Sequence, residues 1–132
     1  ASNRSALVRI PASRGISTRT EIRCPDPTCN PYLALAMMLN SGLDGVKNNL
    51  KPAPAVDKDI YEMTPAQMEA EGIVVMPANL KEAIEELKVN PIAKDALGQH
   101  IFEKYVEAKE KEWDSFRTTV TEWELDEYLD VY

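Results

Sequence analysis

The sequence predicts an α+β fold that is mainly helical and opens on a β-hairpin. Three observations carry this. Residues 7–11 and 18–24 are strand-like and flank a turn holding Gly15, and two such runs joined by a short Gly-containing loop form a hairpin. From Asn30 onward, helix-start signals recur: Asn30-Pro31, Thr64-Pro65-Ala66-Gln67, Asn79-Leu80-Lys81-Glu82, Asn90-Pro91 and Thr121-Glu122-Trp123-Glu124. Asn or Thr there caps the first free amides, and Pro fits the first helical position. After most of these starts, apolar residues return at helical spacing. Residues 1–29 are therefore the strand-bearing part and residues 30–132 the helical region of one domain's worth of chain.

The elements follow in order. The first strand ends at Pro11, and residues 12–17 turn the chain into the second. A two-stranded hairpin is marginal in water, so neighbouring strands are expected from chain upstream. The helix after Asn30 runs to about residue 43 or a turn further, with Gly42 and Gly45 weakening its end. It reads as largely buried, with Met37 and Met38 as core filling. Residues 51–56, Lys-Pro-Ala-Pro-Ala-Val, form an extended linker, and residues 57–63 a loop carrying Tyr61. A short helix follows Thr64, and residues 73–77 are extended or turn-like. The helix after Asn79 has an apolar stripe of Leu80, Ala83, Ile84 and Leu87. Asn90-Pro91 starts the longest helix, to about Arg117. Leu97, Ile101, Tyr105 and Ala108 form one stripe on it, with Phe102, Val106 and Trp113 beside it. The opposite face, with Glu103, Lys104, Glu107, Glu110 and Lys111, is a solvated charge face. The last helix carries Leu125, Tyr128, Leu129 and Tyr132 at i, i+3, i+4 and i+7 and is expected to reach the terminus.

Composition narrows the class. Hydrophobic residues make up 44% of the 132, enough for a core. There is no run of about 18 apolar residues, so no membrane span is expected. The chain opens on polar residues without an initiator Met and without a signal peptide, which suits a piece of a longer cytoplasmic protein. Net charge is −7, but residues 1–23 hold five Arg against one Glu, a local +4, leaving −11 for the remainder. An acidic bulk argues against nucleic-acid binding, which requires a dominant basic face. Cys24 and Cys29 stand in a C-x₄-C spacing with no second pair, and read as free thiols. His100 has no recognisable Ser or Cys partner for a hydrolase. No glycine-rich phosphate loop is present.

The chemistry concentrates in Arg19-Thr20-Glu21-Ile22-Arg23. Side chains alternate along a strand, so Arg19, Glu21 and Arg23 share one face. Arginine forks match carboxylate and phosphate, and a carboxylate suits Mg²⁺ or Mn²⁺. The same spacing also fits a structural Arg-Glu-Arg ladder on a solvated edge strand, and spacing alone leaves both open.

The longer pattern goes further. Asn3-Arg4-Ser5, Val8-Arg9-Ile10-Pro11-Ala12-Ser13, the Arg-Thr-Glu-Ile-Arg strand, Pro25-Asp26-Pro27, Asn30-Pro31-Tyr32-Leu33-Ala34 and Gly42-Leu43-Asp44-Gly45-Val46-Lys47-Asn48 occur in this order. Together they resemble the C-terminal part of type I glutamine synthetase, over essentially the whole chain. The resemblance implies a piece of the catalytic domain of an enzyme that joins ammonia to L-glutamate with ATP through γ-glutamyl phosphate. It implies that Glu21 ligates a metal, Mg²⁺ or Mn²⁺, shared with ATP. Arg23 would hold substrate glutamate, Arg19 and Arg9 would serve ATP, and Arg4 would contact both substrate and the transferring phosphate. It also implies a dodecamer of two stacked hexamers, with the C-terminal helix reaching the opposite ring. The piece alone is expected to be inactive. Enterobacterial members carry a Lys in the turn where this chain has Arg14, so that contact stays unassigned. Tyr61 matches the position of a tyrosine that some branches adenylylate, but its surroundings look more like the Gram-positive branch and it reads as an ordinary loop tyrosine. Some of that branch bind nitrogen-responsive repressors, so the alternative is a non-catalytic assembly or regulator-binding relative.

Overall fold

The computed structural model describes residues 5–131, and the chain divides into two compact units, Ala1–Val75 and Met76–Tyr132. The first unit begins with strands β1 (Val8–Arg9) and β2 (Glu21–Ile22), paired antiparallel with Val8 opposite Ile22 and Arg9 opposite Glu21. The Arg23 amide donates to the Leu7 carbonyl at 2.9 Å, extending the pairing by one bond. The hairpin is as expected, but both strands are shorter than residues 7–11 and 18–24. Pro11 has no amide to donate and is buried. On the return side, a 3₁₀ turn at Gly15–Ser17, with Gly15 at φ 70°, closes through the Thr18 amide at 3.1 Å from the Gly15 carbonyl.

Helix α1 (Pro31–Lys47) starts where its sequence places it: the Asn30 side chain accepts from the Tyr32 and Leu33 amides at 3.0 and 3.3 Å. It runs the extra turn past Leu43, ending with Lys47 at the carbonyl-rich end, where a cation is favoured. The expectation of a largely buried helix is not met within this chain, since none of its residues is buried. A second 3₁₀ turn, Ile60–Glu62, is capped by Asp59 accepting from the Tyr61 amide at 3.0 Å and leaves Tyr61 exposed. Helix α2 (Pro65–Ala70) has the reciprocal Thr64–Gln67 capping box, and Glu71 at its end pairs with Lys58.

The second unit packs α3 (Leu80–Val89), α4 (Pro91–Leu97) and α5 (Gln99–Arg117) against one another. Its centre is Ile84 of α3 and Ala93 of α4, 2% and 0% exposed. Phe102, Tyr105, Val106 and Trp113 of α5 are half-buried, whereas Ile101 and Ala108 stay exposed. The buried side of α5 thus follows the Phe102, Val106 and Trp113 stripe, with Tyr105. Lys88 joins Glu85 on its own helix at 3.2 Å and Glu110 on α5, and the Glu110 hydrogen bond, then that to Glu85, pushes its pKa up. Exposed pairs of this kind contribute little individually.

The single long helix expected from Pro91 is two. Gly98 has φ 73° and ψ 153°; its amide donates to the Lys94 carbonyl at 2.9 Å, and its carbonyl accepts from the Phe102 amide at 3.0 Å. One residue therefore closes α4 and opens α5, in a conformation that only glycine adopts cheaply. Helix α6 (Glu122–Tyr128) has the Thr121–Glu124 capping box, whose amide and hydroxyl hydrogen bonds hold the Glu124 pKa low. It ends at Tyr128, short of the expected terminus. Trp123 and Tyr128 meet edge to face at 5.9 Å. Tyr132, the last residue of the expected stripe, lies outside the described residues.

Gly98→Ala should lower the stability of the second unit by about 1–3 kcal/mol, the cost of holding a Cβ in that region. No neighbour lies within 4 Å of the added carbon, so the loss is conformational and not steric. Urea unfolding followed by Trp113 fluorescence measures it. An unchanged midpoint would show that the α4–α5 junction does not depend on glycine.

Candidate functional site

The hairpin register makes the site. Residues directly opposite in an antiparallel pair project to the same face, so Arg9 on β1 stands beside Glu21 on β2. Arg9 Nη1–H donates to Glu21 Oε2 at 2.9 Å. Arg19, two residues before Glu21 on the same face, donates from Nε to Oε1 at 2.8 Å and brings Nη2 to 2.7 Å from that oxygen. One carboxylate is thus held between two guanidinium groups, one across the hairpin and one along it. The Glu21 side chain is 28% exposed and the arginines about half.

The electrostatics follow. The hydrogen bond from Arg9 is the largest cause of a Glu21 pKa below its ordinary value of 4.5, and that from Arg19 the next. Glu21 is an anion throughout the neutral range, and the trio carries a net single positive charge. It fits an anionic ligand through the arginines and a cation through the remaining lone pairs of the carboxylate.

Of the expected site residues, all but Arg4 lie among the described residues. Arg9, Arg19 and Glu21 come together. Arg23 follows β2 directly, and its backbone amide anchors the hairpin end. Arg4 lies outside the described residues. Arg14, left without a role by the sequence, ties the turn: its Nη1 donates to the carbonyls of Pro11 and Ser13 at 2.6 and 2.9 Å. The contact the sequence did not reveal is Arg9 with Glu21. Its signal was the register, which the separate spacing of each strand does not carry.

A divalent cation of the Mg²⁺ or Mn²⁺ kind takes about six oxygen donors. Among the described residues, no group of three or more His, Cys, Asp or Glu is placed to hold a metal. Glu21 fits as one ionised oxygen ligand, part of a set that needs further donors. Among the described residues no helix is long and apolar enough to cross a membrane.

Comparison with known proteins places the chain in a family. Residues 1–128 match the family model described as glutamine synthetase, catalytic domain. The chain is 58% identical to the glutamine synthetase of Methanococcus maripaludis over 130 residues, 98% of this chain and 29% of that protein. It is 49% identical to that of Thermus thermophilus over 132 residues, 100% of this chain and 30% of the relative. It is 52% identical to that of Clostridium saccharobutylicum over 130 residues, 98% and 29% of the two chains. The chain therefore spans a little under a third of the length of these relatives.

The lowered pKa gives a signed expectation. A depressed carboxylate supports the hairpin above its unfolded pKa, and that support is lost as pH falls through the folded value. The window lies below 4.5, the ordinary value, so neutral pH is unaffected. The carboxyl ¹³C shift of Glu21 should titrate below 4.5, and Arg9→Met should move the midpoint up. A midpoint at the ordinary value, or one indifferent to Arg9→Met, would contradict the two-arginine clamp.

Proposed function

This chain belongs to the glutamine synthetase catalytic-domain family, and from that premise we propose that it carries the arginine-rich, ATP-facing part of a glutamine synthetase active site. The reaction joins ammonia to L-glutamate: ATP phosphorylates the γ-carboxylate, and ammonia then displaces phosphate. The observation that carries this reading is the Arg9–Glu21–Arg19 cluster, set in a chain that matches the family along 128 residues. Phosphoryl transfer needs fixed cations around oxygens that gain charge, in a held geometry.

The residues take the following parts. Arg9 and Arg19 turn from Glu21 to the phosphate oxygens of ATP, because a polyanion offers guanidinium forks more charge than a single shared carboxylate. That exchange frees both Glu21 oxygens. Glu21 would serve as one ligand of Mg²⁺ or Mn²⁺, with the other ligands outside the described residues. When bound, the metal supplies charge neutralisation to the phosphate oxygens. Arg23, fixed at the end of β2, holds the substrate glutamate carboxylate. Arg4 contacts both glutamate and the transferring phosphate. A lone carboxylate cannot hold the full set of metals, so these 132 residues alone are inactive on this reading.

The setting is a cytoplasmic homo-oligomer of two stacked hexamers, in which α6 is an assembly element. Its exposed Leu125, Tyr128 and Leu129 support this part, as an apolar helix face that needs a partner surface. A nitrogen-responsive repressor is a candidate regulatory partner.

Glu21→Gln in the full-length enzyme keeps the size of the side chain and removes its charge. Turnover should fall by about 10²-fold or more, as on losing a principal electrostatic group. Steady-state glutamine formation at saturating Mg²⁺ and Mn²⁺ measures it, and near-normal turnover would remove Glu21 from the metal site.

A further inference from the structure

The loop between the strands, residues 10–20, has site residues at both ends. Arg9 precedes it and is paired with Glu21 just beyond it, and Arg19 lies in its last residues. The Thr18 amide on the Gly15 carbonyl, at 3.1 Å, closes the tip of the loop alone. Arginine side chains tie the rest. On the outgoing side, Arg14 Nη1–H donates to the Pro11 carbonyl at 2.6 Å and to the Ser13 carbonyl at 2.9 Å. Pro11 is buried, and a carbonyl removed from water needs such a donor. On the return side, Arg19 donates from Nη1 to the Ser17 carbonyl at 3.3 Å, a longer contact made by a side chain that also serves Glu21.

The two ties respond differently to a ligand. On the reading proposed above, Arg19 turns to the phosphate oxygens of ATP, leaving Ser17 as well as Glu21. Arg9 leaves Glu21 at the same time, so the ion pair across the hairpin goes too. Arg14 then keeps the loop, because it holds backbone carbonyls and no site residue. One Nη1 carries two N–H groups, enough for both carbonyls at once. Its positive charge makes those bonds stronger than a neutral donor would.

We infer that Arg14 is a positioning residue for ATP use. By pinning Pro11 and Ser13 it fixes the path of the chain leaving Arg9, and so where the Arg9 guanidinium reaches once Glu21 has released it. The inference rests on the reading of Arg9 and Arg19 as ATP-facing residues. It assigns Arg14 to backbone and not to phosphate. Arg23 stands at the other end of the hairpin, where its own amide is bonded to Leu7, so glutamate binding does not depend on Arg14.

The test combines steady-state kinetics of Arg14→Met and Arg14→Lys in the full-length enzyme with hydrogen exchange over residues 10–20 in its nucleotide-free state. Arg14→Met keeps much of the bulk and removes every donor. The KM for ATP should rise by about tenfold or more, as positioning is lost. The KM for glutamate and kcat should stay within about twofold. Exchange over residues 10–20 should quicken by about tenfold, because the untied loop opens more readily. Arg14→Lys keeps a charged donor that can serve both carbonyls, and should bring the KM for ATP back to within about threefold of the parent. A raised KM with unchanged exchange would make Arg14 a direct ligand of the nucleotide and overturn the inference. Quicker exchange with an unchanged KM would confine Arg14 to the turn and overturn it equally. So would a KM for glutamate that rises in step with that for ATP, a failure of Arg14→Met to assemble, or no recovery in Arg14→Lys. The Glu21→Gln turnover tests the metal reading separately from all of these.

Discussion

The pairing of Arg9 with Glu21 across the hairpin is the contact on which the site depends. Side chains alternate along a strand, so a slip of one residue would send the Arg9 guanidinium to the opposite face from Glu21 and Arg19. The register is therefore part of the chemistry. Local devices hold it: the missing amide of Pro11 ends the ladder, Gly15 turns the chain at positive φ, and Arg14 binds the turn carbonyls of Pro11 and Ser13. The Arg23 amide closes the open end on Leu7. A strand pair of only two residues each is thus tied at both ends.

The same cluster is compatible with both readings that the spacing leaves open. As it stands, Arg9–Glu21–Arg19 is an arginine–carboxylate ladder, with the carboxylate pKa held low. A carboxylate kept ionised and two guanidinium groups kept near it are also what a metal–phosphate complex would draw upon. Exposed ion pairs contribute modestly to stability, so moving the arginines to a more strongly charged ligand costs the hairpin little. On the proposed reading, the ladder is the resting arrangement of the binding site.

What was legible in the sequence was what short-range chemistry decides. Asn30, Thr64, Asn79, Asn90 and Thr121 cap the helices they announce, because a side-chain oxygen reaches an amide only two or three residues away. The break at Gly98 was missed because the apolar stripe runs on through it, although a glycine within a helical pattern is itself a warning. The exposure of α1 was missed for a different reason: an apolar sequence reports that a helix needs covering, not whether the cover lies within the same 132 residues. The Arg9–Glu21 contact required the register, which belongs to the pair of strands and to neither strand alone. On the charge face expected for the long helix, Glu103, Lys104, Glu107 and Lys111 are exposed, and the two lysines pull the Glu107 pKa down to about 2, whereas Glu110 is half-buried and pairs with Lys88 of α3.

The central claim is that Glu21, poised between two arginines, becomes a metal ligand when nucleotide occupies the site. It is tested most directly by anomalous diffraction from crystals of the full-length protein grown with Mn²⁺ and a non-hydrolysable ATP analogue. The account predicts a manganese peak within about 2.5 Å of a Glu21 oxygen, with Arg9 and Arg19 moved onto phosphate oxygens. Manganese bound only elsewhere, with both arginines still on Glu21, would contradict it.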